Sequence, residues 1–572
     1  MTVGSRIAAA LVRLPRPKTT DISVERDLAA KMPDGAVLLA DRWFPTHPSG
    51  ELPTVLMRTP YGRRIMGPLG RLYAERGYQV VIQSCRGTFG SEGGFEPVRN
   101  ERADGRATLE WVAAQPWFDG RLVTWGGSYL GFTQWAVAQD PPESLKAMSL
   151  QVTASNFRDA VMYPGGSFAL ETALGWLYQV KHQERGWKTV LRTQLRGVRL
   201  LREGTNVVPM GDCDAAVLGE RSPLFRDWLS HNAPGDPWWD GIDFGRHLDR
   251  VPPASMIGGW YDLFLPAQVA DFGALRAAGR TARLTIGPWT HTSPGLQGET
   301  IRDGIDWFGV QLSERRGKAH RAPVRVYVMG SRTWQEFSTW PPAGVAQQWY
   351  LGRWGTLGPE PPPESGPDHF HYNPHDPTPA VGGPGLNIAT AGRREQRRRE
   401  HRHDVLTYTS PVLTEDLTVI GPLSATLYLR SSLEHTDVFV RLCDVTPRGK
   451  SYNVSDGIVR LTPGAVQREA DGTFVLEIGL WPTANTFKAG HRIRLQVSSG
   501  AHPLFCRNAG TGEPLATGSN LKSADQEVFH DVRRPVHHLA GGPTAARRGD
   551  ALARLTRHRM GRFGPLRLTY AG

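Results

Sequence analysis

Residues 122–139 read LVTWGGSYLGFTQWAVAQ, and the fold of the whole chain turns on this stretch. Leu122 to Trp125 is a short apolar run that breaks at Gly126 and Gly127, presents Ser128 and Tyr129, and continues with apolar residues at helical spacing. The pattern predicts a strand, a sharp turn and a helix. A serine at such a turn sits in strained backbone with its hydroxyl pushed outward, and the following helix aims its N-terminal amides at the same point. Glycines at 126, 127 and 131 let the turn close and the helix approach the strand without Cβ clashes. The common spacing G-x-S-x-G is shifted, because Leu130 holds the second place after the serine and Gly131 the third. Taken alone, the stretch also fits a glycine-rich turn with an incidental serine.

Outward from this elbow, the sequence from Ile22 to about Val152 alternates strand-like and helix-like stretches, as a doubly wound sheet requires, and the first part of that domain is taken as 1–152. VLLADRWFP, LPTVLMRTPYG and GYQVVIQSCRG read as strands, ADGRATLEWVAAQ as a helix and LKAMSLQV as the next strand. In an open parallel sheet, ligands gather at the carboxyl ends of strands. Residues 153–244 change character, with aromatics dispersed through helical stretches, and predict a helical cap inserted over that edge. Phe168 and Trp176, with Tyr163 and Tyr178, are candidates to line an apolar pocket there, against the alternative that they form the cap's own core. The sheet pattern resumes in 245–340 with ASMIGGWYD, PAQVADFGALRAA and ARLTIGPW. Proline-rich text follows, and from 341 to 572 short alternating strands predict a β-sandwich of jelly-roll type. The fold class is α/β, an α/β-hydrolase domain with an inserted helical cap followed by that sandwich.

A chain of 572 residues exceeds what one core supports, so two or three domains are expected. The four cysteines, Cys85, Cys213, Cys443 and Cys506, lie far apart with no CxxC pair and read as free thiols. No apolar run reaches the roughly 18 residues of a membrane span. The first 20 residues have a brief apolar centre interrupted by Arg13, without a clean cleavage site, and read as a short amphipathic leader or a frayed helix on a cytoplasmic protein. The net charge of +12 is concentrated in RREQRRREHRH (393–403) and in 547–562. Neither run interleaves aromatics as a single-strand groove does, so both read as solvated loops and no nucleic-acid partner is expected. The histidines of DHFHYNPHDP (His369, His371, His375) are set among prolines that offer no stable ligand geometry, so no metal is expected. VGGPG (381–385) lacks the lysine and helix of a phosphate loop.

A serine nucleophile needs a general base within reach, and the base needs a group that fixes its tautomer. Asp262 and His291 each follow directly on a buried-looking strand, which would place both beside Ser128 at one edge of the sheet. The chain order Ser, Asp, His is that of α/β-hydrolases.

TPYG (59–62), CRGTFGSEG (85–93), the run from DGRATLEW to GFTQW (104–135), GGWYD (258–262), GPWTH (287–291) and DVLTYTSPVLTEDLTVIGP (404–422) resemble the cocaine esterase family, grouped with X-Pro dipeptidyl-peptidases and α-amino-acid ester hydrolases. The likeness spans nearly the whole chain beyond the first 20 residues. It implies a serine hydrolase of small acyl esters or amides working through an acyl-enzyme without a cofactor. Ser128 matches the nucleophile, His291 the base and Asp262 its orienting carboxylate. The resemblance also implies an oxyanion hole made of the Tyr129 N–H and the Tyr61 phenol, and Phe264 facing the acyl pocket. Cys506 departs from the acidic or polar residue expected there. Two function classes stay open: an esterase, with dipeptidyl-peptidase, amino-acid ester hydrolase or amidase action as variants, and a glycan- or polymer-binding protein with a degenerate hydrolase domain.

Overall fold

The computed structural model describes residues 3–48, 50–185, 187–312, 321–387, 389–530 and 566–570, with side chains left aside at 3, 187–195 and 566–570. The expected basic run 547–562 lies outside the described residues.

The first sheet comprises β1 (Ile22–Lys31), β2 (Val37–Pro45), β3 (Thr54–Thr59), β4 (Gln79–Ser84), β5 (Leu122–Gly127), β6 (Leu145–Gln151), β7 (Ala254–Tyr261), β8 (Ala282–Thr290), β9 (Val324–Val328) and β10 (Thr333–Phe337). Its order is β1-β2-β4-β3-β5-β6-β7-β8-β9-β10. Pairing is parallel from β4 through β9 and antiparallel at both margins. Helices cover both faces of a parallel sheet, so its strands bury every residue and read as continuous apolar runs rather than alternations. Strands β3, β4 and β7 are buried throughout. The chain leaves β3 for β4 on one side and then crosses back to β5 on the other. This reversal opens the crevice in which such sheets bind ligands, between the loops after β3 and β5. Tyr61 follows the one and Ser128 the other.

The cap lies between β6 and β7 and contains the helices Leu170–His182, Trp187–Gly204, Cys213–Leu218 and Pro223–Ser230. Its two connections to the sheet meet at Ser155, whose carbonyl accepts the Phe244 N–H at 2.9 Å.

The sandwich is built from β11 (Val345–Gly352), β12 (Thr356–Gly358), β13 (Asp368–Tyr372), β14 (Val405–Thr409), β15 (Leu417–Ser431), β16 (Thr436–Val445), β17 (Ser451–Leu461), β18 (Phe474–Phe487), β19 (Arg492–Ser498), β20 (Ala524–Phe529) and β21 (Leu566–Tyr570). One sheet gathers β13, β20, β15, β18, β21 and β11; the other gathers β12, β14, β19, β16 and β17. Leucines, valines and isoleucines from their facing sides, such as Leu427, Val440, Leu476 and Leu495, make the core between them. A second core is shared by all three parts: Phe132 and Phe264 from the hydrolase domain, Phe168 and Trp228 from the cap, and Phe439, Ile458 and Trp481 from the sandwich belong to one buried cluster.

Two expectations meet a different outcome here. The run 393–403 is a solvated loop only in part, with Arg393, Arg394, Arg397, Arg398, His401 and His403 exposed. It includes the short helix Arg397–Glu400, and Arg399 is 1% exposed. The Arg399 guanidinium donates to the Gln496 and Ser498 side chains and to the Pro379 and Gly500 carbonyls, so neutral acceptors satisfy it in the interior. The N-terminal leader is a helix, Val3–Leu11, docked on the hydrolase domain through Ser5 and Glu75 at 2.9 Å. His369 and His371 lie on strand β13 beside Glu527 and Asp525, and among the described residues no group of three or more His, Cys, Asp or Glu side chains could hold a metal ion. All four cysteines are free and buried. No described helix is long and apolar enough to cross a membrane.

Candidate active site

Ser128 sits between β5 and the helix Tyr129–Ala138 with φ 56° and ψ −122°, a conformation that side-chain-bearing residues seldom adopt. Its amide donates to the Gln151 carbonyl at 2.9 Å and its carbonyl accepts from Gly131 at 2.9 Å, so the strained turn is held from both sides. The glycines explain the shifted spacing. A Cβ on Gly126 would lie 2.3 Å from the Leu130 Cβ, and one on Gly131 would lie 2.3 Å from the Thr153 side chain. Leu130 thus covers Gly126, and the glycine that admits Thr153, just past the end of β6, is displaced one place along the helix. Every residue of that helix is buried, so its apolar character runs all round rather than along one stripe.

Asp262 follows β7 and His291 follows β8. Their side chains meet at 2.6 Å, Nδ1 to Oδ2. An ionised carboxylate only accepts, so a neutral imidazole paired with one carries its hydrogen on Nδ1 and leaves the lone pair on Nε2. Asp262 is fully buried, and its Oδ1 accepts the Phe264 N–H at 2.9 Å, which fixes the carboxylate plane. The backbone carbonyl of Asp262 in turn accepts from the Trp481 indole of the sandwich at 3.3 Å. Phe264 packs on the His291 ring at 5.5 Å between centroids and on Phe132 of the elbow helix at 5.8 Å. Among the described residues no hydrogen bond joins Ser128 to His291, in keeping with unliganded sites in which that contact tightens around substrate.

Tyr61 and Tyr129 face each other edge to face at 6.4 Å. The Tyr129 N–H, first in its helix, has no hydrogen-bond partner among the described residues. Its phenol donates to Glu101 at 2.9 Å and accepts the Val98 N–H at 2.9 Å. Burial pushes the Tyr61 phenol up to about 12, opposed by hydrogen bonds with Trp176 and Ser128, so it stays protonated at ordinary pH. Gly62, with φ 98°, closes the turn after Tyr61 where a Cβ would strike Phe89 at 2.7 Å.

Trp176 belongs to this group: it stacks on Tyr129 at 6.1 Å and donates from Nε1 to the Tyr61 oxygen at 3.0 Å. Phe168 does not. It is fully buried, and its ring contacts are with Tyr163 and Phe225 inside the cap. Tyr163 and Tyr178 are likewise buried, the former with its hydroxyl on the Trp228 carbonyl. Glu101, Gln183 and Trp481, which hold the site from behind, carry no local sequence signal because each acts on residues distant in the chain. A separate cavity between cap and sandwich is lined by Arg460, His502 and Arg507; Ser128, Asp262 and His291 take no part in it.

Residues 34–293 match the family X-Pro dipeptidyl-peptidase (S15 family), and residues 317–546 match the X-Pro dipeptidyl-peptidase C-terminal non-catalytic domain. The chain is 31% identical over 575 residues to the cocaine esterase of Rhodococcus sp. (strain MB1 Bresler), an alignment covering 91% of this chain and 97% of that one. Two solved structures share the fold at 24% identity. An aminopeptidase from the marine sediment archaeon Thaumarchaeota archaeon superposes with TM-score 0.76 over 90% of this chain and 95% of its own. An α-amino acid ester hydrolase superposes with TM-score 0.75 over 90% and 96%.

Proposed function

The chain belongs to the X-Pro dipeptidyl-peptidase (S15) family together with cocaine esterase, and on that premise we propose that it is a serine hydrolase cleaving carboxylic acyl esters through an acyl-enzyme on Ser128. The observation that carries this reading is the 2.6 Å His291–Asp262 hydrogen bond at the ends of adjacent strands, beside a serine in an elbow. In this mechanism His291 Nε2 takes the Ser128 proton as Oγ attacks the ester carbonyl. Negative charge then grows on the carbonyl oxygen, where the Tyr129 N–H and the Tyr61 O–H receive it. Collapse of the tetrahedral intermediate expels the alkoxide, which takes the proton from His291, and water repeats the sequence to release the acid. Asp262 keeps the imidazole in the required tautomer and stabilises its protonated form. Phe264 and Trp176 wall the acyl pocket. The same reading divides the chain into a hydrolase domain (1–152 and 245–340), a cap (153–244) and a sandwich (341–572).

Identity to cocaine esterase over nearly the whole chain favours esters, while the family's peptidase members make amides the informative competitor. A fluorophosphonate probe followed by peptide mass spectrometry is expected to label Ser128. An unlabelled serine would favour the binding-protein reading. Side-by-side rates on p-nitrophenyl esters of increasing chain length and on aminoacyl and prolyl p-nitroanilides then separate the activities; faster anilide turnover would make the enzyme a peptidase.

A further inference from the structure

Tyr61, read above as an oxyanion donor, and the residue before it are contacted from outside the hydrolase sheet. A phenol has one hydrogen to give and two lone pairs to receive with, whereas an indole N–H only donates. At 3.0 Å the Trp176 Nε1 hydrogen therefore occupies a lone pair of the Tyr61 oxygen, and the single phenolic hydrogen is left for another acceptor. A hydroxyl that accepts a hydrogen bond is also polarised into a better donor. Trp176 lies on the cap helix Leu170–His182. Just past the end of that helix, Gln183 donates from Nε2 to the Pro60 carbonyl at 2.8 Å, so the cap grips the residue before Tyr61 as well. The next residue, Glu184, accepts the Phe89 N–H at 2.9 Å and ties down the loop after β4. From the sheet side, Tyr61 is held by its own amide, which donates to Thr59 Oγ1 at 3.0 Å. The face of the Trp176 indole meanwhile stacks on Tyr129 with the ring planes 9° apart, so one cap side chain touches both residues read as oxyanion donors.

We propose that Trp176 and Gln183 are positioning residues for Tyr61, so that the oxyanion hole is complete only while the cap helix is seated on the loop after β3. The inference rests on the reading of Tyr61 as an oxyanion donor. It gives the cap a role in the rate of the chemical step beyond walling a pocket. A wall needs the indole's surface; a positioning residue needs its N–H.

A double-mutant cycle on the full chain tests this with a p-nitrophenyl ester as substrate. Tyr61→Phe alone is expected to lower kcat by about 10² to 10³, the usual cost of one oxyanion donor. Trp176→Phe and Gln183→Ala are each expected to lower kcat by about tenfold in the native background and by less than about threefold in the Tyr61→Phe background, because the group they position is already gone. Equal losses of kcat in both backgrounds, or a rise in KM alone, would overturn the proposal and leave Trp176 as a pocket wall. Should Trp176→Phe fail to fold, the Gln183→Ala cycle decides. A Tyr61→Phe enzyme with native kcat would instead remove Tyr61 from the oxyanion hole, a result visible in the single mutant before any cycle is closed.

Discussion

Asp271 accepts both polar hydrogens of one residue, Ser155: its Oδ2 takes the amide at 2.8 Å and its Oδ1 the hydroxyl at 2.7 Å. Ser155 is where the chain leaves the sheet for the cap, and its carbonyl receives Phe244 where the chain returns. A single carboxylate on the helix after Asp262 therefore holds the residue at which the cap's two connections meet.

That position makes stability depend on pH in a definite sense. Burial raises the Asp271 pKa to about 7 from 3.8, with the two Ser155 hydrogen bonds opposing the rise and the Asp243 charge adding to it. Between those values the native state keeps a proton that the unfolded chain has released, so stability falls as pH rises through the window and levels off above about 7. The cost from this group is on the order of 4 kcal/mol at the upper end. Asp271→Asn cannot titrate, so its melting temperature should gain on that of the native protein as the pH goes from 4 to 7. Parallel melting curves for the two proteins across that range would contradict the prediction.

Replacing Asp262 by Asn tests the second carboxylate. The amide can still accept the Phe264 N–H through its oxygen but presents an N–H to His291, which forces the other tautomer and removes the lone pair from Nε2. The fold and melting temperature should be kept while kcat on a p-nitrophenyl ester drops by up to about 10⁴. Near-native turnover would mean that another group orients His291.

Gly131→Ala tests the shifted elbow. Its Cβ would stand 2.3 Å from the Thr153 Cγ2 and Oγ1 atoms, too close for any real contact. The variant should lose about 1 to 3 kcal/mol of stability, the usual cost of overpacking, and activity should fall with it because Ser128 moves. Thr153→Gly in the same chain clears the space and should recover part of both, as measured by urea unfolding and ester hydrolysis. A stable and fully active Gly131→Ala enzyme would show that the helix and the segment just after β6 separate without penalty.

The parallel strands and the elbow were legible because strands covered on both faces leave unbroken apolar runs ending in glycine loops, and Ser128, Asp262 and His291 each sit directly after such a run. What failed to show was whatever depends on a partner far along the chain. Phe168 and Trp176 are aromatics of the same cap, yet one fills its core and the other reaches Tyr61; residue type and helical spacing do not tell them apart. Arg399 stands in a run whose charge density suggested solvent, because its acceptors Gln496, Ser498 and Gly500 lie about a hundred residues onward. Gln183 and Trp481 meet Pro60 and Asp262 across sequence separations of 123 and 219 residues, beyond the reach of any local pattern.

The apolar cluster running unbroken through hydrolase, cap and sandwich makes this chain a poor donor of spare parts. Cutting away the sandwich would remove Phe439, Ile458 and Trp481 and bare the surface they cover, a contiguous greasy face of the kind that drives fragments to aggregate. Grafting a relative's cap would demand that its underside fit two foreign surfaces at once. Altering what this site accepts is therefore a matter of editing side chains where they stand.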